Sequence, residues 1–244
     1  MKYLALDIET APAVVYTFSL FKPMIGIDQI IEDSRMICWS AQWHGTTKTM
    51  FRSEFHDGRK EMLDELHALI DEADAVITYN GKSFDMPWIH GEFITEGFLP
   101  PSPYKHVDLY QTLKANSRFI SRKLDFASQK LLGDRKTPHT GFRLWKDCLA
   151  GDAKAWALMK KYSIQDTKLM LPLFDMLLPW IYNVPNRAVY DDVAGGCPAC
   201  GGTNLQSRGL QRTITSTFRR YQCADCGKWS RGAERISSSA ARPI

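Results

Sequence analysis

Several things are missing from this chain, and each absence narrows what it can be. No stretch is long and apolar enough to cross a bilayer, which takes about 20 unbroken apolar residues. The most apolar run, Leu169 to Tyr182, is interrupted by Pro172, Asp175 and Pro179. No membrane partner is expected. Nor is a secretory leader visible, because Asp7 and Glu9 follow within a few residues of the start. Cysteine is scarce: of six in 244 residues, four form two Cys-x-x-Cys pairs, while Cys38 and Cys148 stand alone in apolar surroundings. That usage argues against a disulfide framework and for a reducing compartment, so a cytoplasmic location is expected. His44, His56, His67, His90 and His106 lack metal-ligand spacing. No internal repeat is evident either.

What remains is an ordinary soluble composition, 44% hydrophobic and 24% charged, in a length that holds one sizeable α/β domain and a small appended module. The net charge of +4 is unevenly placed. Residues from Cys197 onward carry 8 Lys/Arg against 2 Asp/Glu, a charge of +6, and the preceding part carries −2. A basic tail on a slightly acidic body favours an anionic partner for the tail.

The apolar patterning predicts strands at 2–8, 35–43, 48–52, 75–79 and 104–108. Helices are predicted over 59–73, 84–97, 109–119, 123–132 and 153–178, the last capped by Asp152. Two sequence-adjacent strands followed by strands alternating with helices predict an α/β fold, a mixed five-stranded sheet flanked by helices. Residues 11–34 read as a long loop with some helix near the cleft. The expected layout is a main domain over 1–182, a linker over 183–196, a cysteine module over 197–236 and a flexible tail over 237–244.

Four carboxylates in three short motifs are the strongest chemical signal. Asp7 and Glu9 stand two apart in LALDIET, Asp85 in YNGKSFDMP, and Asp166 four after Tyr162 in YSIQD. Residues two apart on a strand share a face, as do residues four apart on a helix. Acids gathered this way repel one another unless cations intervene, and hard oxygen ligands suit Mg²⁺ or Mn²⁺. Two such ions would set up in-line displacement at phosphorus. Tyr162 is placed to orient an attacking water.

Together these motifs resemble those of the DnaQ-like, ribonuclease H-fold 3′–5′ exonucleases of the DEDD type with tyrosine in the third motif. YNGKSFDMP is most similar to the second motif of the exonuclease domains of family B DNA polymerases. The resemblance covers roughly residues 1–180. It implies Asp7, Glu9, Asp85 and Asp166 as metal-binding acids and Tyr162 as the catalytic hydroxyl. It also implies that Thr10 lies near a terminal 3′-hydroxyl and that Asn80 and Phe84 lie near the terminal nucleotides. With four metal acids accounted for, Asp108 is expected to be structural or to support those acids from behind. His139 lies too far upstream of Asp166 to match the histidine subgroup and is expected to be a loop residue. No polymerase domain accompanies the motifs in this chain.

Cys197-x-x-Cys200 and Cys223-x-x-Cys226 have the spacing of a four-thiolate zinc ribbon, whose knuckles supply the tetrahedral sulfurs that one Zn²⁺ favours. Arginines and aromatics interleaved beside it suit single-stranded nucleic acid. The resulting expectation is a metal-dependent 3′–5′ exonuclease that releases nucleoside 5′-monophosphates from single strands, DNA favoured. Expected partners are that strand and a polymerase or another replication or repair protein. A compact nuclease with a zinc tail suits a phage or bacterial genome. Two alternatives stay open: a 3′–5′ exoribonuclease, and a nucleic-acid-binding zinc-ribbon protein with a non-catalytic nuclease fold.

Overall fold

A computed structural model describes residues 1–21 and 23–242. The chain divides into two compact units, Lys2–Leu173 and Phe174–Ile244, with Met1 belonging to the second. Among the described residues no helix is long and apolar enough to cross a membrane.

The first unit begins with β1 (Tyr3–Ala11) and a small hairpin of β2 (Val14–Val15) and β3 (Ile30–Glu32). Next come β4 (Arg35–Trp43), β5 (Thr49–Ser53), α1 (Arg59–Glu72), β6 (Ala75–Thr78), α2 (Asp85–Thr95) and β7 (Lys105–Asp108). Helices α3 (Leu109–Asn116), α4 (Leu124–Leu132), α5 (Phe142–Leu149) and α6 (Ala153–Leu177) follow. The main sheet runs β5-β4-β1-β6-β7. Strand β1 pairs in parallel with β6 and antiparallel with β4, so β4 alone runs against the rest. This is the mixed five-stranded, helix-flanked architecture the patterning predicts.

β1 is central and covered on both faces, which explains its near-continuous apolar reading. Leu4, Leu6 and Ile8 pack with Met62, Leu63 and Leu66 of α1 and Met86, Ile89 and Phe93 of α2. On the other side Ala11, Ile37 and Cys38 pack with Leu144 and Cys148 of α5 and Trp156, Met159 and Tyr162 of α6. Asp152 starts α6, its carboxylate accepting from the Lys154 and Ala155 amides at 2.8 and 3.4 Å.

The segment 11–34 departs from its expectation. It forms the β2–β3 hairpin and only a single 3₁₀ turn (Ile27–Gln29), with Lys22 outside the described residues. Tyr16 and Gln29 hold it together through backbone hydrogen bonding.

The second unit contains α7 (Arg187–Tyr190) and a three-stranded antiparallel sheet of β8 (Leu205–Arg212), β9 (Ser216–Cys223) and β10 (Trp229–Ser238), in the order β10-β9-β8. The stretch expected as a plain linker therefore carries a helix, whose Arg187 amide donates to the Pro198 carbonyl at 2.8 Å. The expected tail over 237–244 begins inside β10, and its residues 243 and 244 lie outside the described residues.

Candidate functional site

The register of the central strands sets up the acidic site. Asp7 lies directly across from Ser40 on β4. Ser40 is fully buried, and its hydroxyl donates to the Ser163 carbonyl at 2.8 Å and lies 2.6 Å from the Thr167 hydroxyl. Two buried hydroxyls one helical turn apart thus fix the rotation of α6 against the sheet. Tyr162 and Asp166 immediately precede Ser163 and Thr167, so the same clamp turns them toward Asp7.

Beyond Ala5 the edge of β1 that faces β6 has no strand partner among the described residues. Asp85, the first residue of α2, fills that place by accepting from the Ile8 amide at 3.3 Å. The loop leading to it is tightly constrained. Asp108 accepts from the amides of Asn80 and Lys82 at 3.0 and 3.1 Å and from that of Gln111 at 3.3 Å, which is the structural position expected of it. Asn80 adopts a left-handed φ of 67°. A Cβ on Gly81 would come within 2.4–2.8 Å of the Thr78 side chain, so the close approach requires glycine there.

Oxygens of Asp7, Glu9 and Asp166 all lie within 4.8 Å of one another, while Asp85 stands outside this trio. Asp7 Oδ2 and Asp166 Oδ1 are buried without a hydrogen-bond partner among the described residues. Burial, followed by the charges of Asp166, Asp85 and Glu9, holds the Asp7 carboxyl well above the carboxylate range. Burial and then Asp166 push Glu9 up to about 8. Burial pushes Asp85 up to about 7 against the pull of amides including that of Ile8. Asp166 is also raised by burial, with Lys136 pulling it back. A site of this kind demands positive charge. Orphaned oxygens in a close trio of hard donors fit a divalent cation.

One cation is already built in, and the motifs do not disclose it. Lys136 Nζ lies 2.5 Å from Asp166 Oδ2, donates to the Tyr162 hydroxyl at 2.9 Å and sits over the Tyr162 ring. Burial works to lower its pKa, but Asp166 and then Tyr162 more than offset this, leaving it raised. Gln165 of α6 ties the same loop down by donating to the Arg135 carbonyl at 3.1 Å. His139 is on the loop as expected, and its ring packs edge-on against Tyr162 at 4.8 Å. Charge imbalance is the one signal the sequence offers toward it: acids drawn together call for positive charge, without saying which residue or ion supplies it.

Asp7, Asn80, Tyr110, Ile120, Arg122 and Lys136 are among the residues lining a cleft of about 530 Å³. Phe84 is 42% exposed and lines a different hollow, with Asp33 and Trp88, so Asn80 and Phe84 do not share a cavity. Thr10 is half-buried at the β-bulge where β1 shifts register against β4. Neither hollow includes it.

The second unit holds the other donor set. Sulfurs of Cys197, Cys200, Cys223 and Cys226 lie within 4.8 Å of one another, with Cys197–Cys226 and Cys200–Cys223 each at 3.7 Å. Tetrahedral zinc with Zn–S bonds of about 2.3 Å has sulfur–sulfur edges of about 3.8 Å. The thiolates fit that ion. The two knuckles repeat one geometry: the Gly201 and Gly227 amides donate to the Cys197 and Cys223 carbonyls at 2.9 Å, at φ values of 76° and 78° that favour glycine. Amides of Ala199 and Gly202 point at the Cys197 and Cys200 sulfurs at 3.4 Å, as ligating thiolates require.

A five-stranded sheet with one reversed strand, carrying acids on its central strand, defines a ribonuclease H-like nuclease fold. The chain belongs to the RNase_H superfamily, whose RNase_H_2 family matches residues 33–178. That match begins after β1, so Asp7 and Glu9 rest on geometry. Among solved structures the chain is similar to the family B DNA polymerase from the hyperthermophilic archaeon Pyrobaculum calidifontis, at 14% identity and a TM-score of 0.55. The likeness covers 73% of this chain and only 24% of the polymerase, about a quarter of its length. No curated protein matches the sequence.

Proposed function

We propose that the protein is a metal-dependent 3′–5′ exonuclease acting on single-stranded nucleic acid, with DNA as the favoured substrate. The observation that carries this reading is the trio Asp7, Glu9 and Asp166, with its orphaned buried oxygens, set against a cleft. The likeness to part of a DNA polymerase supports the choice of DNA. Asp7, Glu9 and Asp166 would hold Mg²⁺ or Mn²⁺, and Asp85 would complete the set for a second ion. When bound, such ions supply acidification of water, from a pKa of about 15.7 toward neutrality, and neutralise charge at the leaving oxygen.

The chain's own residues do the rest. Tyr162 has its hydroxyl pKa raised by burial and by Asp166 and Glu9, so it stays protonated at working pH. It therefore serves as a hydrogen-bonding group that orients the attacking water, and not as a base. Lys136, fixed between Tyr162 and Asp166, offsets negative charge where a phosphodiester enters. Arg122 and Lys136, both on the cleft wall, would meet the phosphate backbone. The four cysteines would hold one Zn²⁺ that supplies folding energy to a unit with little core. Cysteines grouped as a metal-type cluster with two others buried and unbridged support a reducing compartment such as the cytoplasm.

The test uses 5′-labelled single strands of DNA and RNA with Mg²⁺, Mn²⁺ or chelator, beside Asp7→Ala. A metal-dependent ladder shrinking from the 3′ end and absent in the variant is expected, with DNA cut faster. Equal cleavage by Asp7→Ala would refute the site, and faster RNA cleavage would move the substrate to RNA.

A further inference from the structure

The three-stranded sheet of the second unit carries an arrangement that the acidic site does not use. In the β9–β10 register Arg220 stands directly opposite Arg231, Trp229 opposite Gln222, and Arg235 opposite Phe218. Residues 218, 220 and 222 alternate along β9, so these side chains share one face. Like charges directly opposite on neighbouring strands are destabilising. Here the pair is not neutralised: among the described residues neither arginine pairs with a carboxylate, and both are exposed. Each instead lies diagonally over an aromatic ring, Arg220 over Trp229 at 4.8 Å and Arg231 over Phe218 at 4.2 Å. Arg220 also donates from Nε and Nη2 to the Arg208 carbonyl at 3.1 and 2.9 Å, which fixes its plane without cancelling its charge. Trp229 remains 47% exposed. Arg219 and Tyr221, on the opposite face of the same sheet, line a groove that Arg231 also borders.

We infer that the Trp229–Arg220–Arg231–Phe218 face is a second, non-catalytic binding site for single-stranded nucleic acid. A phosphate seated between Arg220 and Arg231 relieves their repulsion with charge-assisted hydrogen bonds from two guanidinium groups. The cation–aromatic stacks flanking it are flat, preordered platforms for unstacked bases, which a duplex does not offer. The net charge of +6 from Cys197 onward draws a polyanion to the same unit. Placed on one chain with the acidic cleft, such a site would hold the strand between successive encounters with it. The inference does not depend on the cleavage chemistry, since it concerns binding alone.

The test is fluorescence anisotropy on the zinc-loaded full chain without added divalent ions, using labelled dT and rU strands of about 20 nucleotides, a duplex of equal length, and polyglutamate as competitor. Arg220→Gln with Arg231→Gln should weaken single-strand binding at least about tenfold. It should also flatten the log affinity against log salt slope by about 0.7, for the one phosphate that the pair seats. Trp229→Leu should cost at least about fivefold with the slope unchanged, because it removes stacking and no charge. Native mass spectrometry must show one zinc per variant chain. If the double Gln variant loses zinc, Arg220→Lys with Arg231→Lys replaces it, and should keep the slope while losing affinity. Unchanged affinity and slope in all variants would overturn the inference. So would tighter binding to the duplex, or equal competition by polyglutamate, which would make the face an acidic-polypeptide site. Failure of the cleavage assay leaves these readouts intact.

Discussion

Lys136→Met is the most discriminating perturbation of the acidic site, because methionine keeps the packed stem and removes only the charge. Asp166 is 2% exposed and the Lys136 side chain 27% exposed, so their pair is largely screened from water. Breaking a buried pair by deleting one partner costs about 3–5 kcal/mol, and the partial exposure of Lys136 reduces this to about 2–3 kcal/mol. The loss should depend on pH in a definite direction. An acid whose folded pKa is raised destabilises the fold as pH rises above its unfolded value toward its folded one. Glu9 at about 8 and Asp85 at about 7 are both raised by burial first, and Glu9 next by Asp166. Lys136 lowers Asp7, Glu9 and Asp166 alike, so deleting it lifts all three further. The gap between wild type and variant should therefore be small near pH 5, where the acids hold protons, be clearly open at pH 8, and still widen above it as Glu9 gives up its proton. For a unit of this size 2–3 kcal/mol corresponds to about 5–10 °C in Tm. Thermal melts by circular dichroism at both pH values, with chelator and with saturating Mn²⁺, measure it. Mn²⁺ should close most of the gap at pH 8 by supplying the missing charge. An equal loss at both pH values, indifferent to Mn²⁺, would refute the electrostatic role and leave Lys136 a packing residue.

Two further outcomes are expected. Gly81→Ala should cost about 1–3 kcal/mol in thermal stability and weaken Mn²⁺ binding, because its Cβ meets Thr78 at 2.4–2.8 Å and displaces the loop that presents Asp85; a change under about 0.5 kcal/mol would show that the loop yields freely. Removing zinc by chelation, or by Cys226→Ser, should expose residues 197–238 to proteolysis while leaving the first unit protected; equal resistance with and without zinc would show that the β8–β10 sheet holds by its own packing.

How much of this was legible in the sequence follows from what each element buries. β1, β4 and β6 are covered on both faces, and α1 places Met62, Leu63, Leu66, Leu69 and Ile70 inward, so their apolar patterns are strong. α5 buries only Leu144 and Cys148 in eight residues, too little periodicity to register, and it follows a Pro-His-Thr-Gly stretch that reads as loop. β8 and β10 hide almost nothing on either face, so no alternation marks them as strands. What marks this region in the sequence is the pair of cysteine knuckles at the strand ends, and not hydrophobic patterning.

The acids were legible because motif spacing and element geometry agree: two apart on a strand, four apart on a helix. Lys136 was not, because nothing local distinguishes it from Lys130 or Lys123. Its position depends on a loop folding back onto α6, where Gln165 and Tyr162 receive it. Ser40 was hidden for the same reason, since a serine in an apolar strand looks like an interruption until Ser163 and Thr167 arrive from 123 and 127 residues away. Charge accounting offers a way past this limit. Four carboxylates brought together must be neutralised by protons, by metal or by a cation of the chain. Those three answers differ in how stability responds to pH and to Mn²⁺, and the sequence alone poses the question without choosing among them.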